Sequence, residues 1–283
     1  MIFYINSATK EEIENTNSNS SNSYFYKYVP YKELLKERSK EFLFFKRPEL
    51  WNDPWESLVL TGNYKIDKGK TRRHPFAGKV LATCFTSNYG SEAQWHIYEQ
   101  NEPRVMLSFN KAKLIDALKS SDINFYIGKV NYDIDQPKIK KEVEKLAKKH
   151  LPIFENPDNI KLDNIEDTKN LLEPLLFKRK AFEYEGEYRI FVIEESGIDK
   201  ENILIPSLDK AIGKVTLSPT HNISKLLSQE EKDKLWIEYK EKKLKELYLE
   251  EQRNELRKYG FNNINSSSLY EEKVDTLFDI TEK

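Results

Sequence analysis

Three charged residues beyond the middle of the chain have the types and spacing of a catalytic group. They are Glu185, Glu187 and Arg189, in the run from Phe182 to Arg189. On a β-strand, side chains two residues apart point to the same side, so all three share one face. Two carboxylates on one face repel each other, and one pKa rises unless a cation intervenes, which Arg189 could supply. The run is therefore a candidate site; the alternative is an exposed edge strand whose charges are freely solvated.

Several familiar catalytic and binding signatures are missing. The chain has no GxGxxG, GxxxxGK[ST], HExxH or paired CxxC motif. Its four histidines are widely scattered, so a zinc site built from them and the single cysteine is not expected, and we predict no resident metal. Cys84 lies in the apolar run from Val80 to Phe85, which predicts a buried strand with an inert thiol.

The elements that must position these residues are short strands interspersed with helices of uneven length. This pattern predicts an α+β fold with mixed, mainly antiparallel sheets, flanking helices and a long C-terminal helix. We expect strands at 25–29, 41–46, 80–85, 104–109, 125–132, 188–193 and 215–217. Helices are expected at 91–100, after Asn110, along the stripe Ile139, Val143, Leu146 and Ala147, and around 171–176, where Pro174 interrupts.

Composition divides the chain into three predicted segments. Residues 1–23 form an N-terminal segment with a possible short strand and a flexible Asn/Ser linker. Residues 24–220 form the α+β core domain. Residues 221–283 form a helical extension, with a capping box at Ser228 and Glu231, a stop at Gly260 and a possible last strand at 274–280.

Charge and cysteine content limit the class of protein. The 46 basic and 47 acidic residues give a formal net charge of −1, so no global attraction to nucleic acid or membrane is expected, although a local basic patch stays possible. One cysteine allows no intrachain disulfide. With no signal peptide or membrane span predicted, we expect a cytoplasmic protein.

Short motifs follow one another in a fixed order from Tyr26 to Ser218. They are Tyr26-Lys27-Tyr28, Asn52 to Glu56, Thr83 to Ser87, Trp95 with Tyr98, Val130 with Tyr132, Glu185 to Arg189, and Ile212 to Ser218. This order resembles the bacterial domain-of-unknown-function family numbered 2971. One departure is that the family has serine directly after the phenylalanine of its Cys-Phe-Ser segment, whereas here Thr86 precedes Ser87.

The family pattern is in turn similar to that of ADP-ribosyltransferases, which use three strand-borne positions. A first strand carries a polar or basic residue, a second a hydroxyl or aromatic residue, and a late strand a glutamate. The resemblance implies an ADP-ribosyltransferase-like fold with Glu187 as the catalytic residue and Glu185 as its companion. It assigns cofactor binding to Lys27, Tyr28, Ser87, Trp95, Tyr98 and Arg189.

The implied substrate is NAD, and the implied acceptor is a macromolecule, RNA, DNA or protein. Cleavage of the nicotinamide–ribose bond builds positive charge on the ribose, which a fixed carboxylate stabilises. An aromatic such as Trp95 or Tyr98 would stack on nicotinamide, and Lys27 or Arg189 would meet the pyrophosphate. A role as a toxin or phage-defence effector would suit such an enzyme. No membrane partner is expected, and the C-terminal helix could bind a protein.

Two other hypotheses remain open at this point. The first is a Mg²⁺-dependent nuclease that uses Asp53, Glu56, Glu185 and Glu187 around the ion. The second is a non-catalytic sensor or binding module of a bacterial defence system. The loop Asn52-Asp53-Pro54 also has two interpretations, a rigid corner or a wall of the cofactor pocket.

Overall fold

The computed structural model describes residues 2–5, 23–66, 70–98, 102–132, 136–155, 164–194, 202–219 and 239–267. The strands are β1 Ile2–Tyr4, β2 Tyr24–Pro30, β3 Phe42–Phe44, β4 Asn63–Lys65, β5 Thr71–Arg73, β6 Val80–Thr86, β7 Arg104–Asn110, β8 Phe125–Lys129, β9 Glu187–Ile193, β10 Asn202–Leu204, β11 Ile212–Leu217 and β12 Ile264–Ser266.

The helices vary in length, as expected. They are α1 Tyr31–Leu34, α2 Pro54–Thr61, α3 Glu92–Tyr98, α4 Lys111–Lys119, α5 Gln136–Lys149, α6 Leu151–Glu155, α7 Ile165–Leu172 and α8 Tyr239–Lys258. Short 3-10 helices lie at Ser39–Glu41, Pro48–Leu50, Glu173–Leu176, Lys180–Glu185 and Leu208–Lys210. In the described ranges, no helix is long and apolar enough to cross a membrane.

The chain groups into two compact units. The first contains Met1–Lys27, Arg38–Tyr89 and Ser108–Gly213. Its main strands are hydrogen-bonded in the order β1-β8-β9-β6-β2, and each of these neighbouring pairs is antiparallel. Two antiparallel two-stranded sheets, β3 with β10 and β4 with β5, complete it.

The second unit contains Tyr28–Glu37, Gly90–Leu107 and Lys214–Lys283. Its strands follow the order β2-β7-β11-β12, and β11 pairs with β12 in parallel. The sheet is therefore mixed and mostly antiparallel, and the predicted α+β class is confirmed. Helix α8 is followed by Gly260 at φ +80°, the left-handed conformation that ends a helix. The predicted capping box and the strand at 274–280 lie outside the described residues.

One face of the first unit's sheet is covered by helices. Helix α5 buries Ile139 and Val143 of the predicted stripe, and both pack in a cluster with Ala82 of β6 and Phe191 of β9. Burial of this apolar area drives the helices onto the sheet. The same cluster includes residues of α2, α7 and the 3-10 helix Glu173–Leu176.

Local signals account for several boundaries. Asn110 caps α4 by accepting a hydrogen bond from the Lys113 backbone N–H at 3.0 Å, as predicted. The helix expected around Pro174 is interrupted, as predicted: α7 ends at Leu172 and a 3-10 helix follows. Strands β4, β5, β10 and β12 were not predicted, since three-residue strands carry too short a pattern.

Strand β1 belongs to the first unit. Ile2, Phe3 and Tyr4 pair with Gly128, Ile127 and Tyr126 of β8. The three-segment division at residues 23/24 and 220/221 stays a prediction, because stretches beside both boundaries lie outside the described ranges.

His74 is an imidazole buried within the first unit. Its Nδ1 accepts a hydrogen bond from the Phe76 backbone N–H at 3.1 Å, and its ring meets that of Phe154 edge-on at 5.5 Å. Burial lowers the pKa of His74 from 6.5 to about 3, against a smaller opposing effect of a backbone hydrogen bond to Leu171. The folded protein therefore keeps this imidazole neutral in mildly acidic solution.

We expect the free energy of unfolding to fall as the pH drops from about 6.5 toward 3. In this window the unfolded chain takes up a proton at His74 and the folded chain does not, which gives a slope of up to about 1.4 kcal/mol per pH unit. His74→Asn keeps an acceptor near Nδ1 and should flatten the slope. Urea unfolding between pH 7 and 4.5 measures it. His96→Asn, which removes an exposed imidazole of α3, is the matched control; an unchanged slope in His74→Asn would contradict the assignment.

Candidate active site

Glu187 and Arg189 of the charged run lie on a central strand of the first unit. Strand β9 pairs with β8 on one side and with β6 on the other. Its first residue, Glu187, is 7% exposed, and Arg189 on the same face is 1% exposed. The alternative of an exposed edge strand is therefore wrong, and both charges must be satisfied inside the protein.

Glu185 does not lie on the strand, contrary to the prediction. It ends the 3-10 helix Lys180–Glu185, and Gly186 follows in the left-handed conformation at φ +52°. A Cβ at this glycine would lie 2.7 Å from Asn88 Nδ2 and 2.9 Å from Ser87 Oγ. Both the conformation and the close approach favour glycine, so β9 can begin only at Glu187.

Lys178 contacts both Glu185 and Glu187, although Glu185 does not lie on the strand. Its Nζ lies 2.6 Å from an oxygen of Glu185, 3.2 Å from one of Glu187 and 3.3 Å from one of Glu56. Sequence reasoning missed this residue, which follows the mostly apolar run 171–177 and precedes two further basic residues. Its side chain is almost fully buried, so its positive charge lies inside the protein beside the three carboxylates.

Arg189 binds two of these three carboxylates, Glu187 and Glu56. Its guanidinium donates to Glu187 at 2.9 Å and also to Glu56. It further donates to the Leu175 carbonyl at 2.5 Å, and its Cζ lies 4.2 Å from the centre of the Trp51 ring. Glu56, Glu185, Glu187, Lys178 and Arg189 form what we call the ion cluster.

Glu56 reaches the ion cluster because α2 begins where it does. Asp53 caps this helix by accepting from the Trp55 backbone N–H at 3.0 Å, and Pro54 occupies its first turn. Asp53 also pairs with Arg179 at 3.1 Å. The loop therefore forms a corner held by these contacts, and Glu56 points inward. Its alternative role as a wall of a cofactor pocket stays a prediction.

The charges of the ion cluster set its protonation. Burial alone would raise the pKa of Glu187, but the charges of Arg189 and Lys178 hold it at about 2. Burial opposes the charge of Lys178 as well, yet the neighbouring carboxylates, Glu187 first, raise its pKa. The pKa of Glu185 is raised by burial, against the charge of Lys178. With three carboxylates and two cations, the fully ionised cluster has a formal charge of −1.

Two neighbouring side chains complete the surroundings of Glu187. The Tyr132 hydroxyl accepts a hydrogen bond from the Glu187 backbone N–H at 2.9 Å. Cys84 lies opposite Arg189 in the β6–β9 register. Burial, reinforced by the charge of Glu187, raises the pKa of the Cys84 thiol, so this cysteine stays protonated and is a poor nucleophile.

The three strands that carry the predicted motifs are direct neighbours. Tyr26 of β2 lies opposite Thr86 of β6, and Thr86 lies opposite Glu187 of β9. The Thr86 hydroxyl donates to the Glu185 carbonyl at 2.5 Å, and the Ser87 hydroxyl donates to the Gly186 carbonyl at 3.1 Å. Thr86 and Ser87, where the chain departs from the family pattern, therefore both stabilise the turn before Glu187.

Lys27 belongs to the same unit but follows Tyr26, so it points to the other face of β2. Its amine donates to Thr83 Oγ1 at 2.7 Å and to the Cys84 carbonyl at 3.0 Å. It also lies 5.2 Å from the centre of the Phe85 ring. Its assignment to pyrophosphate binding stays a prediction.

The predicted aromatic cofactor residues pack together in the second unit. The Tyr28 ring meets that of Trp95 edge-on at 4.7 Å and stacks with that of Tyr98 at 5.2 Å. Trp95 is buried, while Tyr98 is partly exposed, with the Arg104 Cζ 6.0 Å from its ring centre. Their role in binding nicotinamide stays a prediction.

The carboxylates named for the nuclease hypothesis are engaged with cations of the protein. Glu56, Glu185 and Glu187 contact Lys178, and Asp53 contacts Arg179. Among the described residues, no group of three or more His, Cys, Asp or Glu side chains is placed to hold a metal ion.

Replacement of Arg189 by methionine should lower the free energy of unfolding by about 3–5 kcal/mol, because it leaves two carboxylates buried without their guanidinium. Arg179→Met, which breaks a more exposed pair with Asp53, is the matched control and should cost about 1 kcal/mol or less. Denaturant unfolding at pH 7 measures both. Equal losses would show that the ion cluster contributes no special stability.

Comparison with known proteins gives one match. A search of curated proteins and a search of solved structures each found none. The matching family model is described as a protein of unknown function (DUF2971), and the matched range includes Lys178, Glu185 and Glu187. Over residues 94–190 the chain therefore matches the DUF2971 family of proteins of unknown function, which supports the resemblance inferred from its motif order.

Proposed function

We propose that this protein is an ADP-ribosyltransferase-like enzyme that cleaves NAD and transfers ADP-ribose to a macromolecular acceptor. Glu187 is the catalytic carboxylate and Glu185 its companion. The proposal extends the family match, whose description names no activity.

One observation carries the proposal. The resemblance assigned the three functional positions to a first, a second and a late strand, which are far apart in sequence. Strands β2, β6 and β9 are side by side, and Tyr26, Thr86 and Glu187 lie in one row across them. A site assembled from three strands needs this adjacency, and a rigid sheet holds its groups to catalytic tolerance.

The state of Glu187 suits the chemistry. With a pKa of about 2 it is ionised at neutral pH, so it can accept a hydrogen bond from a ribose hydroxyl. Its negative charge then stabilises the positive charge that develops as the nicotinamide bond breaks. The formal charge of −1 on the whole ion cluster also stabilises this positive charge.

Glu185 is suited to a different task. Its side chain is more exposed than that of Glu187, and burial raises its pKa. A carboxylate with a raised pKa is a better general base, so Glu185 takes the proton of the attacking acceptor. Two carboxylates with pKa values shifted in opposite directions thus have separate roles.

Arg189 and Lys178 act as positioning residues. Arg189 is fully buried and is held by Glu56, Glu187 and the Leu175 carbonyl. We therefore assign it to holding Glu187 rather than to binding pyrophosphate. Lys178 fixes the separation of Glu185 and Glu187 in the same way.

The test measures nicotinamide release from NAD in the presence of chelator, with cell lysate as a source of acceptor. Glu187→Gln should lower the rate about 100-fold or more, since it removes the charge that stabilises the transition state. Glu185→Gln should lower the transfer of labelled ADP-ribose to the acceptor more than it lowers the release of nicotinamide.

Glu183→Gln is the matched control, because Glu183 is an exposed residue of the same 3-10 helix as Glu185. Each variant is assayed at a temperature at which near-ultraviolet circular dichroism shows it folded. No release by the parent protein would overturn the proposal, as would equal release by Glu187→Gln. Nucleic-acid cleavage that appears only with Mg²⁺ would favour the nuclease, and inactivity in both assays a binding module.

A further inference from the structure

The β4–β5 hairpin carries a concentration of positive charge. Lys65 lies on β4, Lys70 precedes β5, and Arg72 and Arg73 lie on β5. All four side chains are exposed. The whole chain has a formal charge of −1, so this density is local.

These four charges are not neutralised within the described part of the chain. There, none of the four side chains has an ion pair, side-chain hydrogen bond or ring contact. By contrast, the exposed Lys145 of α5 pairs with Glu142 at 3.6 Å. Residues 67–69 lie outside the described ranges, and by sequence Asp67 and Lys68 cancel formally.

The hairpin is anchored on one face and polar on the other. The Tyr64 hydroxyl donates to the Val59 carbonyl at 2.6 Å, and its ring lies 4.8 Å from that of Phe154. Asn63 lies opposite Arg73, and Lys65 lies opposite Thr71. Directly opposite residues share a face, so the face away from Tyr64 presents Asn63, Lys65, Thr71 and Arg73. Arg72 lies opposite Tyr64 on the anchored face, but its side chain is also exposed.

Two further lysines lie near the base of the hairpin. Lys148 and Lys149 end α5 and are exposed. Helix α6 follows at Leu151, and its Phe154 contacts Tyr64 of the hairpin. The end of α5 therefore lies beside the base of the hairpin and adds two cations. Two acidic residues lie near them, Glu155 in α6 and Asp167 in α7, whose carboxylate is 3.8 Å from His150 Nδ1.

We propose that this hairpin binds the phosphate backbone of duplex DNA without sequence preference. A two-stranded ribbon fits the major groove of B-DNA. Arg and Lys, with Asn and Thr beside them, are the side chains that contact phosphate oxygens. An anionic membrane fits less well, because the exposed residues of the described hairpin are all polar and offer no apolar side chain for insertion.

The proposal does not depend on NAD chemistry. The hairpin follows α2, whose first turn carries Glu56 and whose eight residues span about 12 Å. DNA held by the hairpin would thus lie about one short helix away from the ion cluster. Binding is measured without NAD, so failure of either proposal is seen separately.

The experiment titrates the full chain into fluorescein-labelled 20-base-pair duplexes of two unrelated sequences and follows anisotropy from 50 to 300 mM salt. The parent should bind both duplexes alike, with the logarithm of the association constant falling by about 3–4 per decade of salt for four phosphate contacts. Arg72/Arg73→Ala and Lys65/Lys70→Ala should each weaken binding about tenfold or more and reduce the slope by about 1.8.

Lys113/Lys210→Ala removes two exposed lysines of the same unit and should bind as the parent does. The proposal is overturned if the parent does not bind at 50 mM salt, or if the hairpin variants match the lysine control. Binding to vesicles containing phosphatidylserine but not to duplex DNA would likewise overturn it and assign the hairpin to a membrane surface.

Discussion

The mutual neutralisation of buried charges at Lys178 and Arg189 is the interaction on which the first unit depends. Each of these ions would cost several kcal/mol to bury alone, and attraction offsets this only if the geometry is good. Their carboxylate partners come from α2, from the end of a 3-10 helix and from β9. Correct placement of any one of these elements therefore requires correct placement of the others.

The same requirement explains why the backbone around Glu185 is irregular. If the strand continued through it, Glu185 and Glu187 would simply repeat along one face. The left-handed Gly186 instead turns the chain, and Thr86, Ser87 and Asn88 satisfy the carbonyl groups of the turn. Two carboxylates two residues apart in sequence thereby acquire different environments and opposite pKa shifts. Such a separation is what acid–base chemistry with two like residues needs.

Sequence patterns predicted the parts of this structure that are locally determined. The apolar run 80–85 became β6, the stripe at Ile139 and Val143 became α5, and Asn110 became a cap. The ion cluster was only partly foreseen, because its contacts are not local: Arg189 and Glu56 are 133 residues apart. No spacing rule links Lys178 to its partners. The turn at Gly186 was missed since its cause, close approach of Ser87 and Asn88, is also distant in sequence.

The central position of β9 also sets the order in which the first unit can assemble during synthesis. Of the strands β1, β2, β6, β8 and β9, the last to leave the ribosome is the one that lies in the middle. Until residues 187–193 emerge, the chain can form β1 with β8 and β2 with β6 as separate halves. Each half has an open edge where β9 will insert. Such long-range closure makes folding slow, and it makes the nascent chain dependent on protection of those edges against aggregation.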